Sequence, residues 1–250
     1  MAEKRVTDEP AVSGTQSVFR ALSILHAFTA ERPTLTGPEV ADLFGYSLPT
    51  AYRLLRALEA ENFLVFHRTT RAYGPGPEIL RLAGVMLHRD ALVAQTQTSL
   101  IRLRALTGET VAIYWRLGNR CTCTQEMPRP DSVEAGIGTD FPLTQSAVGK
   151  ALLLHLADDE VRALLDDPEV PAPPGGADAL LADLRASRVR GYAVSAGEIA
   201  APMPWAGDGL AAYSVSAPEA RFGRREREVA GRTLVDEMTR LRAILHDQVP

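Results

Sequence analysis

The most constraining feature of the sequence is a helix start at Thr36. In Thr36-Gly-Pro-Glu39, threonine can cap a helix, proline fits its first turn, and glutamate three residues later can bond back to the cap. The helix that starts there ends at Gly45. Only three residues, Gly45-Tyr46-Ser47, separate it from another helix, since Ser47 can act as a cap and Pro49 fits the first turn. The sequence therefore predicts two helices joined by a tight turn.

A helix precedes this pair and a hairpin follows it. Apolar residues recur at helical spacing from Ser17 to about Ala30. After Asn62 the pattern changes to two strand-like segments around a polar tip, closed by Gly74-Pro-Gly-Pro77. Three helices followed by a basic hairpin are typical of a winged helix-turn-helix, whose third helix enters the major groove of DNA. A small helical dimerisation or protein-binding module is the alternative.

The whole chain carries a net charge of −4, which by itself does not favour binding to DNA. The positions of the positive residues are therefore what supports a DNA-binding unit over a protein-binding module. Arg53 is the expected phosphate contact, and the Ser47 and Thr50 hydroxyls can reach phosphates or base edges. Tyr52 can either pack in the core or reach DNA. For Arg56 and Arg71, the alternative is a solvated surface charge without a DNA contact. The predicted DNA-binding residues are Ser47, Thr50, Tyr52, Arg53, Arg56, Arg68 and Arg71.

Patterning along the rest of the chain predicts an α+β protein with two domains. Residues 1–14 read as a flexible arm, 15–78 as the winged helix-turn-helix, 79–90 as a linker helix and 91–250 as a second domain. In the second domain we expect helices near 91–106, 146–156, 158–165, 177–189 and 223–246. Strands are expected near 110–116, 120–125, 192–195, 199–203 and 210–216.

The chain resembles the IclR family of bacterial transcriptional regulators along nearly its whole length. The N-terminal likeness covers Ser17 to Leu25, Leu35 to Ala41, Thr50 to Glu59 and Tyr73-Gly-Pro-Gly76. The C-terminal likeness is more specific, and comprises Thr107-Gly-Glu-Thr-Val111, Gly138, Pro142-Leu-Thr-Gln-Ser-Ala-Val-Gly-Lys-Ala151, Arg190-Gly-Tyr192, Ile199-Ala-Ala-Pro202 and Ser214-Val-Ser216.

The resemblance implies a winged-helix domain, a linker helix and a GAF-like α/β effector domain. It implies homodimers that pair through the DNA-binding half and often form tetramers on DNA. Family effectors are usually small organic acids or aromatics. Their carboxylate is often held by backbone N–H groups at the start of the Ser146 helix, with hydroxyls nearby. The effector residues so implied are Gln145, Ser146, Ala147, Ser195, Glu198, Ser214 and Ser216.

The sequence departs from the family pattern in three places. Leu48-Pro49 stands where Lys-Ser is frequent, and Thr144-Gln145 where His-Ala is typical. The segment between Tyr192 and Ile199 is shortened, with Ser195 in place of a common acid and Glu198 in place of a common cysteine or serine. An ionised Glu198 would repel a carboxylate. We therefore expect a neutral or cationic effector, or none.

Enzyme readings find little support in the residues. The five histidines are scattered, and no HExxH, GxSxG or dinucleotide motif occurs. Cys121 and Cys123 are too few for a disulfide framework or a zinc site, and small strand residues are the simpler reading. We expect no metal and no cofactor. No segment resembles a membrane span or an export signal, which predicts a cytoplasmic protein.

Three functions therefore stand as hypotheses. The first is a sequence-specific DNA-binding regulator whose C-terminal domain senses a small molecule. The second is a DNA-binding dimeric scaffold that has lost effector control. The third is a small-molecule enzyme built on the C-terminal domain.

Overall fold

The protein is described from a computed structural model of residues 15–29, 31–88, 91–130, 136–203 and 210–246. The predicted arm, residues 1–14, lies outside the described residues. The chain divides into two compact units, residues 1–90 and 91–250. The helices are α1 Gln16–His26, α2 Gly37–Phe44, α3 Leu48–Ala60, α4 Pro77–His88, α5 Ala91–Thr107, α6 Ala147–Leu153, α7 Asp158–Leu165, α8 Gly176–Arg190 and α9 Arg224–His246. The strands are β1 Leu64–His67, β2 Ala72–Pro75, β3 Thr110–Leu117, β4 Arg120–Met127, β5 Asp140–Pro142, β6 Ala193–Ser195, β7 Glu198–Pro202 and β8 Ala211–Ser216.

The capping box predicted at α2 is present. The Thr36 hydroxyl accepts a hydrogen bond from the Glu39 N–H at 3.4 Å, and Glu39 Oε2 accepts one from the Thr36 N–H at 2.7 Å. Gly45 then ends α2 with a φ of 66°, which glycine adopts without strain. Since α3 begins at Leu48, the three-residue turn is confirmed.

The end of α3 sets the direction of the wing. Asn62 has a φ of 59°, and the Phe63 N–H donates to the Leu58 carbonyl at 2.9 Å, which closes the helix. The chain then enters β1, which pairs antiparallel with β2 from Leu64 opposite Pro75 to His67 opposite Ala72. The hairpin expected from the sequence is therefore present, with residues 68–71 at its tip.

Six strands of the second unit form one antiparallel sheet in the order β5-β4-β3-β8-β7-β6. Helices α6, α7 and α8 pack on one face, which we call the inner face, and α5 and α9 pack on the other. Alternation along the strands assigns each side chain to a face. The inner face includes Ala112, Tyr114, Cys121, Cys123, Ala200 and Ala212. The opposite face includes Val111, Ile113, Ile199, Tyr213 and Val215.

The structure differs from the sequence prediction at one helix and one strand. Helix α1 ends at His26 rather than near Ala30, and the Arg32 Nε–H donates to the Ala27 carbonyl beyond its end. Strand β5 was not predicted from the sequence. It is three residues long and pairs at the edge with β4, Cys121 opposite Phe141, so no alternation could mark it.

Gly149 of α6 lies against the backbone that precedes the helix. A β-carbon at this position would come within 1.9 Å of the Leu143 carbonyl oxygen. That oxygen belongs to the main chain and cannot rotate away as a side chain could. Glycine therefore allows the first turn of α6 to pack directly against the segment that precedes it.

We expect Gly149→Ala to lower the free energy of unfolding of the second unit by about 3 kcal/mol or more, because backbone must move to admit the methyl group. Gly84→Ala is the control, since an added β-carbon in α4 has no atom within 4 Å and should stabilise slightly. Urea denaturation followed by circular dichroism measures both. Equal, small effects would mean that the contact at Leu143 is not restrictive.

Candidate DNA-binding surface and candidate effector site

The start of α3 presents two hydroxyl groups. Ser47 precedes the helix in an extended conformation, and its hydroxyl makes no capping bond to the backbone. Instead, Ser47 Oγ and Thr50 Oγ1 lie 2.8 Å apart in a mutual hydrogen bond. Ser47 is exposed and Thr50 is partly exposed. Each hydroxyl keeps capacity for a further bond to an incoming partner.

Tyr52 contributes to packing as well as to the surface. Its ring lies over Gly37 at the start of α2, where an added β-carbon would meet the ring at 2.5 Å. The side chain is nevertheless 37% exposed. The position of Tyr52 is therefore compatible with both roles expected from the sequence, packing within the domain and contacting DNA.

Arg53 and Arg56 are both exposed on α3, away from its buried leucines. Arg56 also lies beside Tyr73 of β2. Burial raises the pKa of the Tyr73 phenol, the Glu59 charge raises it further, and the charge of the nearby Arg56 acts against both. Arg56 thus connects α3 to the wing, whereas Arg53 forms no ion pair with a described residue.

Two further arginines stand at the wing tip. Arg68 and Arg71 are exposed, and neither is paired with an acid among the residues described. Arg71 has a φ of 53°, a left-handed conformation that costs a residue with a β-carbon about 1 kcal/mol. Among the described residues, no acid forms a salt bridge with Arg53, Arg56, Arg68 or Arg71, so these α3 and wing cations are available to bind phosphate.

In the second unit, the Glu198 carboxylate is bound by the backbone at the start of α6. Glu198 Oε2 accepts hydrogen bonds from the Ala147 N–H at 3.0 Å and from the Val148 N–H at 3.4 Å. The Ala147 N–H also lies 3.2 Å from Ser195 Oγ. The shortened segment noted in the sequence thus places an internal carboxylate on the donors that a ligand carboxylate would need.

The electrostatics of Glu198 reflect two opposing effects. Burial raises the pKa of its carboxyl to about 7, although hydrogen bonds from Val148, Ala147 and Ser195 and the charge of Lys150 work in the opposite direction. Lys150 itself is held by Asp183 Oδ2 at 2.6 Å and the Val194 carbonyl at 3.1 Å. It therefore has a structural role.

The other expected effector residues differ in their exposure to solvent. Ser146 caps α6 by accepting from the Gly149 N–H at 3.0 Å. Gln145 is exposed, while Ser214 is buried and Ser216 is partly buried. Ser214 and Ser216 lie on the inner face, because Ser214 pairs with Ala112 and Ala200, and Ser216 pairs with Glu198. The structure thus brings Ala147, Ser195, Glu198, Ser214 and Ser216 together and leaves Gln145 outside.

Two inner-face residues near this site were not predicted. Tyr114 and Glu126 project from β3 and β4, and Glu126 pairs with Ala112. Burial raises the pKa of the Tyr114 phenol, and the charges of Glu198 and Glu126 add to it. Simple alternation from Cys121 and Cys123 would place Gln125 rather than Glu126 on this face, and the bulge opposite Ile113 and Tyr114 shifts the register by one residue.

The cysteines do not form a reactive pair. Burial raises the pKa of the Cys121 thiol to about 12 and that of the Cys123 thiol to about 11, so both stay protonated. No cluster of three metal-ligating side chains occurs among the described residues. Within the same part of the chain, no helix is long and apolar enough to cross a membrane.

Family models match most of the chain. Residues 17–68 match the IclR helix-turn-helix domain, and residues 84–240 match the bacterial transcriptional regulator IclR C-terminal domain. The HTH-type transcriptional regulator Rv1719 of Mycobacterium tuberculosis is 30% identical over 233 residues, covering 88% of this chain and 89% of that protein. The HTH-type transcriptional repressor AllR of Escherichia coli is 26% identical over 226 residues, covering 85% and 83%.

Solved structures share the fold. An IclR transcriptional regulator from Alicyclobacillus acidocaldarius superposes with a TM-score of 0.80 at 23% identity, covering 91% of this chain and 97% of that one. An IclR homologue from Microbacterium hydrocarbonoxydans, complexed with 4-hydroxybenzoate, gives a TM-score of 0.72 at 20% identity, covering 91% and 99%. The predicted α+β fold with an N-terminal helix-turn-helix is confirmed.

Glu198 predicts a specific pH dependence of stability. Its pKa is raised from 4.5 to about 7 in the folded protein, so the folded state binds the proton more tightly than the unfolded state. The protonated Glu198 side chain contributes to the free energy of unfolding, by about 3 kcal/mol at most. This contribution is complete below about pH 4.5 and is lost as the pH rises through 7. The free energy of unfolding of the wild type minus that of Glu198→Gln should therefore fall across this range. A difference that stays constant with pH would contradict the assignment.

Proposed function

The chain belongs to the IclR family of bacterial transcriptional regulators, and we propose that it senses a neutral or cationic effector rather than a simple organic acid. It is a DNA-binding regulator with a C-terminal effector domain, and not an enzyme. One observation supports the proposed effector class. The Glu198 carboxylate accepts hydrogen bonds from the Ala147 and Val148 N–H groups, so these donors are already occupied.

DNA recognition is assigned to the start of α3 and the tip of the wing. Ser47 and Thr50 read base edges or bind phosphate, and Arg53 binds phosphate. Arg68 and Arg71 contact the backbone or the minor groove beside the recognition helix. Tyr52 and Arg56 contribute less, because each is also engaged within the domain, Tyr52 over Gly37 and Arg56 at Tyr73.

The first unit also carries the surface for pairing into a homodimer. Helix α1 exposes Val18, Phe19 and Leu22, and α4 exposes Ile79, Leu80, Leu82 and Val85. Apolar side chains grouped on two helices favour burial against a partner. We assign this surface to a second copy, with tetramers on DNA as the family resemblance implies. The DNA partner favours a cytoplasmic location.

The exclusion of organic acids follows from the charge of Glu198 and from the two backbone N–H donors that it occupies. A ligand carboxylate would have to displace the Glu198 side chain from its two backbone donors, or lie beside a like charge. Either arrangement costs on the order of 1 kcal/mol or more when partly buried. The same observation favours a second candidate function, a DNA-binding scaffold whose effector site is filled by its own glutamate.

The DNA assignment is tested with fragments found by genome-wide mapping of bound DNA. We expect Arg53→Ala, and separately Arg71→Asn, to weaken binding about equally for different sequences and to lower the salt slope by about one unit each. Asparagine tolerates the left-handed conformation of residue 71, so the wing turn is kept. The control is Arg232→Ala on α9, an exposed arginine of the other unit. A slope that stays unchanged would refute the phosphate contact.

The effector class is tested by thermal shift. Acetate, benzoate and 4-hydroxybenzoate should leave the melting temperature of the wild type nearly unchanged at millimolar concentration, because their carboxylate finds its donors occupied by Glu198. Marked stabilisation by these acids would overturn the proposal. The scaffold alternative predicts instead that no added ligand of any charge alters DNA affinity.

A further inference from the structure

One leucine of α3 is exposed at the end of the helix that is assigned to DNA. Leu48 is the first residue of α3, and it is 45% exposed. The other leucines of this helix, Leu54, Leu55 and Leu58, are buried in the core of the first unit. Leu48 is therefore set apart from the buried stripe that holds α3 in the fold, and its side chain is free to contact a partner.

Pro49 extends this apolar surface along the first turn of α3. It is exposed, and it precedes Arg53 by four residues, so the two lie on the same face of the helix. Helix side chains lean towards the N-terminus, so Leu48 extends beyond the start of α3. In a helix-turn-helix, the N-terminal residues of the recognition helix contact the edges of the bases. Leu48 and Pro49 therefore occupy the part of α3 that meets those edges.

The chemistry of these two residues limits what they can recognise. A leucine side chain has no hydrogen-bonding group, and proline also lacks the backbone N–H that could donate to a phosphate. Neither side chain carries a charge. In the major groove, the apolar group that a base edge presents is the C5-methyl group of thymine. Packing of the exposed part of Leu48 against that methyl group is favourable, because both surfaces leave water.

We propose that Leu48, flanked by Pro49, packs against the C5-methyl group of a thymine and thereby selects a T·A base pair at one position of each half-site. The hydroxyls of Ser47 and Thr50, which bond to each other at 2.8 Å, lie at the same end of the helix and supply hydrogen bonds to a neighbouring base edge or phosphate. This inference rests on the proposed function, which assigns the start of α3 to DNA. It adds the residue that distinguishes thymine from the other bases there.

The test removes one methyl group from the DNA at a time. The probe is a bound fragment found by genome-wide mapping, in which each thymine is replaced in turn by uracil. Uracil pairs with adenine as thymine does but lacks the C5-methyl group. The affinity of the full-length protein is measured by fluorescence anisotropy. We expect one thymine in each half-site at which uracil lowers the affinity by about fourfold, as the burial of one methyl group implies.

Protein variants identify the side chain that makes the contact. Leu48→Ala should bind the unmodified fragment about fourfold or more weakly, and the same uracil substitution should then have no further effect. Leu48→Met keeps a long apolar side chain and should retain most of the response to uracil. The control is Leu210→Ala, which truncates a leucine of the second unit that is 44% exposed. It should leave the response to uracil unchanged.

The outcomes separate this inference from the proposed function. If no thymine responds to uracil, or if the response persists in Leu48→Ala, the role of Leu48 is wrong. A response that persists in Leu48→Ala and disappears in Thr50→Ala assigns the methyl contact to Thr50 instead. Leu48→Ala should leave the salt slope unchanged, because no charge is lost. If Arg53→Ala also leaves that slope unchanged and no thymine responds, the assignment of α3 to DNA fails together with this inference.

Discussion

The effector domain depends on one close approach, that of α6 to the carbonyl of Leu143. Because residue 149 has no β-carbon, the first turn of α6 packs directly against the segment that leads into it, and the Ala147 and Val148 N–H groups of that turn bind a side chain from β7. Lys150 then anchors the next turn on Asp183 and the Val194 carbonyl. Backbone geometry at the start of α6 thus supplies the hydrogen-bond donors that the Glu198 carboxylate occupies.

Much of the first unit could be predicted from the sequence, since its signals are local. A capping box, a glycine in the left-handed conformation and a hairpin closed by glycine and proline each act within a few residues. The link between Arg56 and Tyr73 could not be predicted, because those residues are distant in sequence and meet only through the fold. For the same reason the dual placement of Tyr52 over Gly37 stayed undecided until the structure was known.

In the second unit, element types were predictable but the assembly of the site was only partly so. The resemblance singled out Glu198 and Ser195, yet the atoms that Glu198 contacts follow from how β7 pairs with β8 under α6. Glu126 was missed because the bulge beside Ile113 separates its register from simple alternation. Strand β5 is too short and too near the edge to show a pattern. Long-range pairing, rather than local preference, defines this region.

The left-handed arginine at the wing tip sets a limit on how this protein can be engineered. A glycine at position 71 would relieve backbone strain and raise the stability of the hairpin. It would also remove a cation from the surface assigned to DNA. Selecting variants for heat resistance would therefore enrich changes at a residue that we propose contributes to DNA binding. Stability and the proposed DNA affinity are opposed there, and a screen that measures only one of them would mislead.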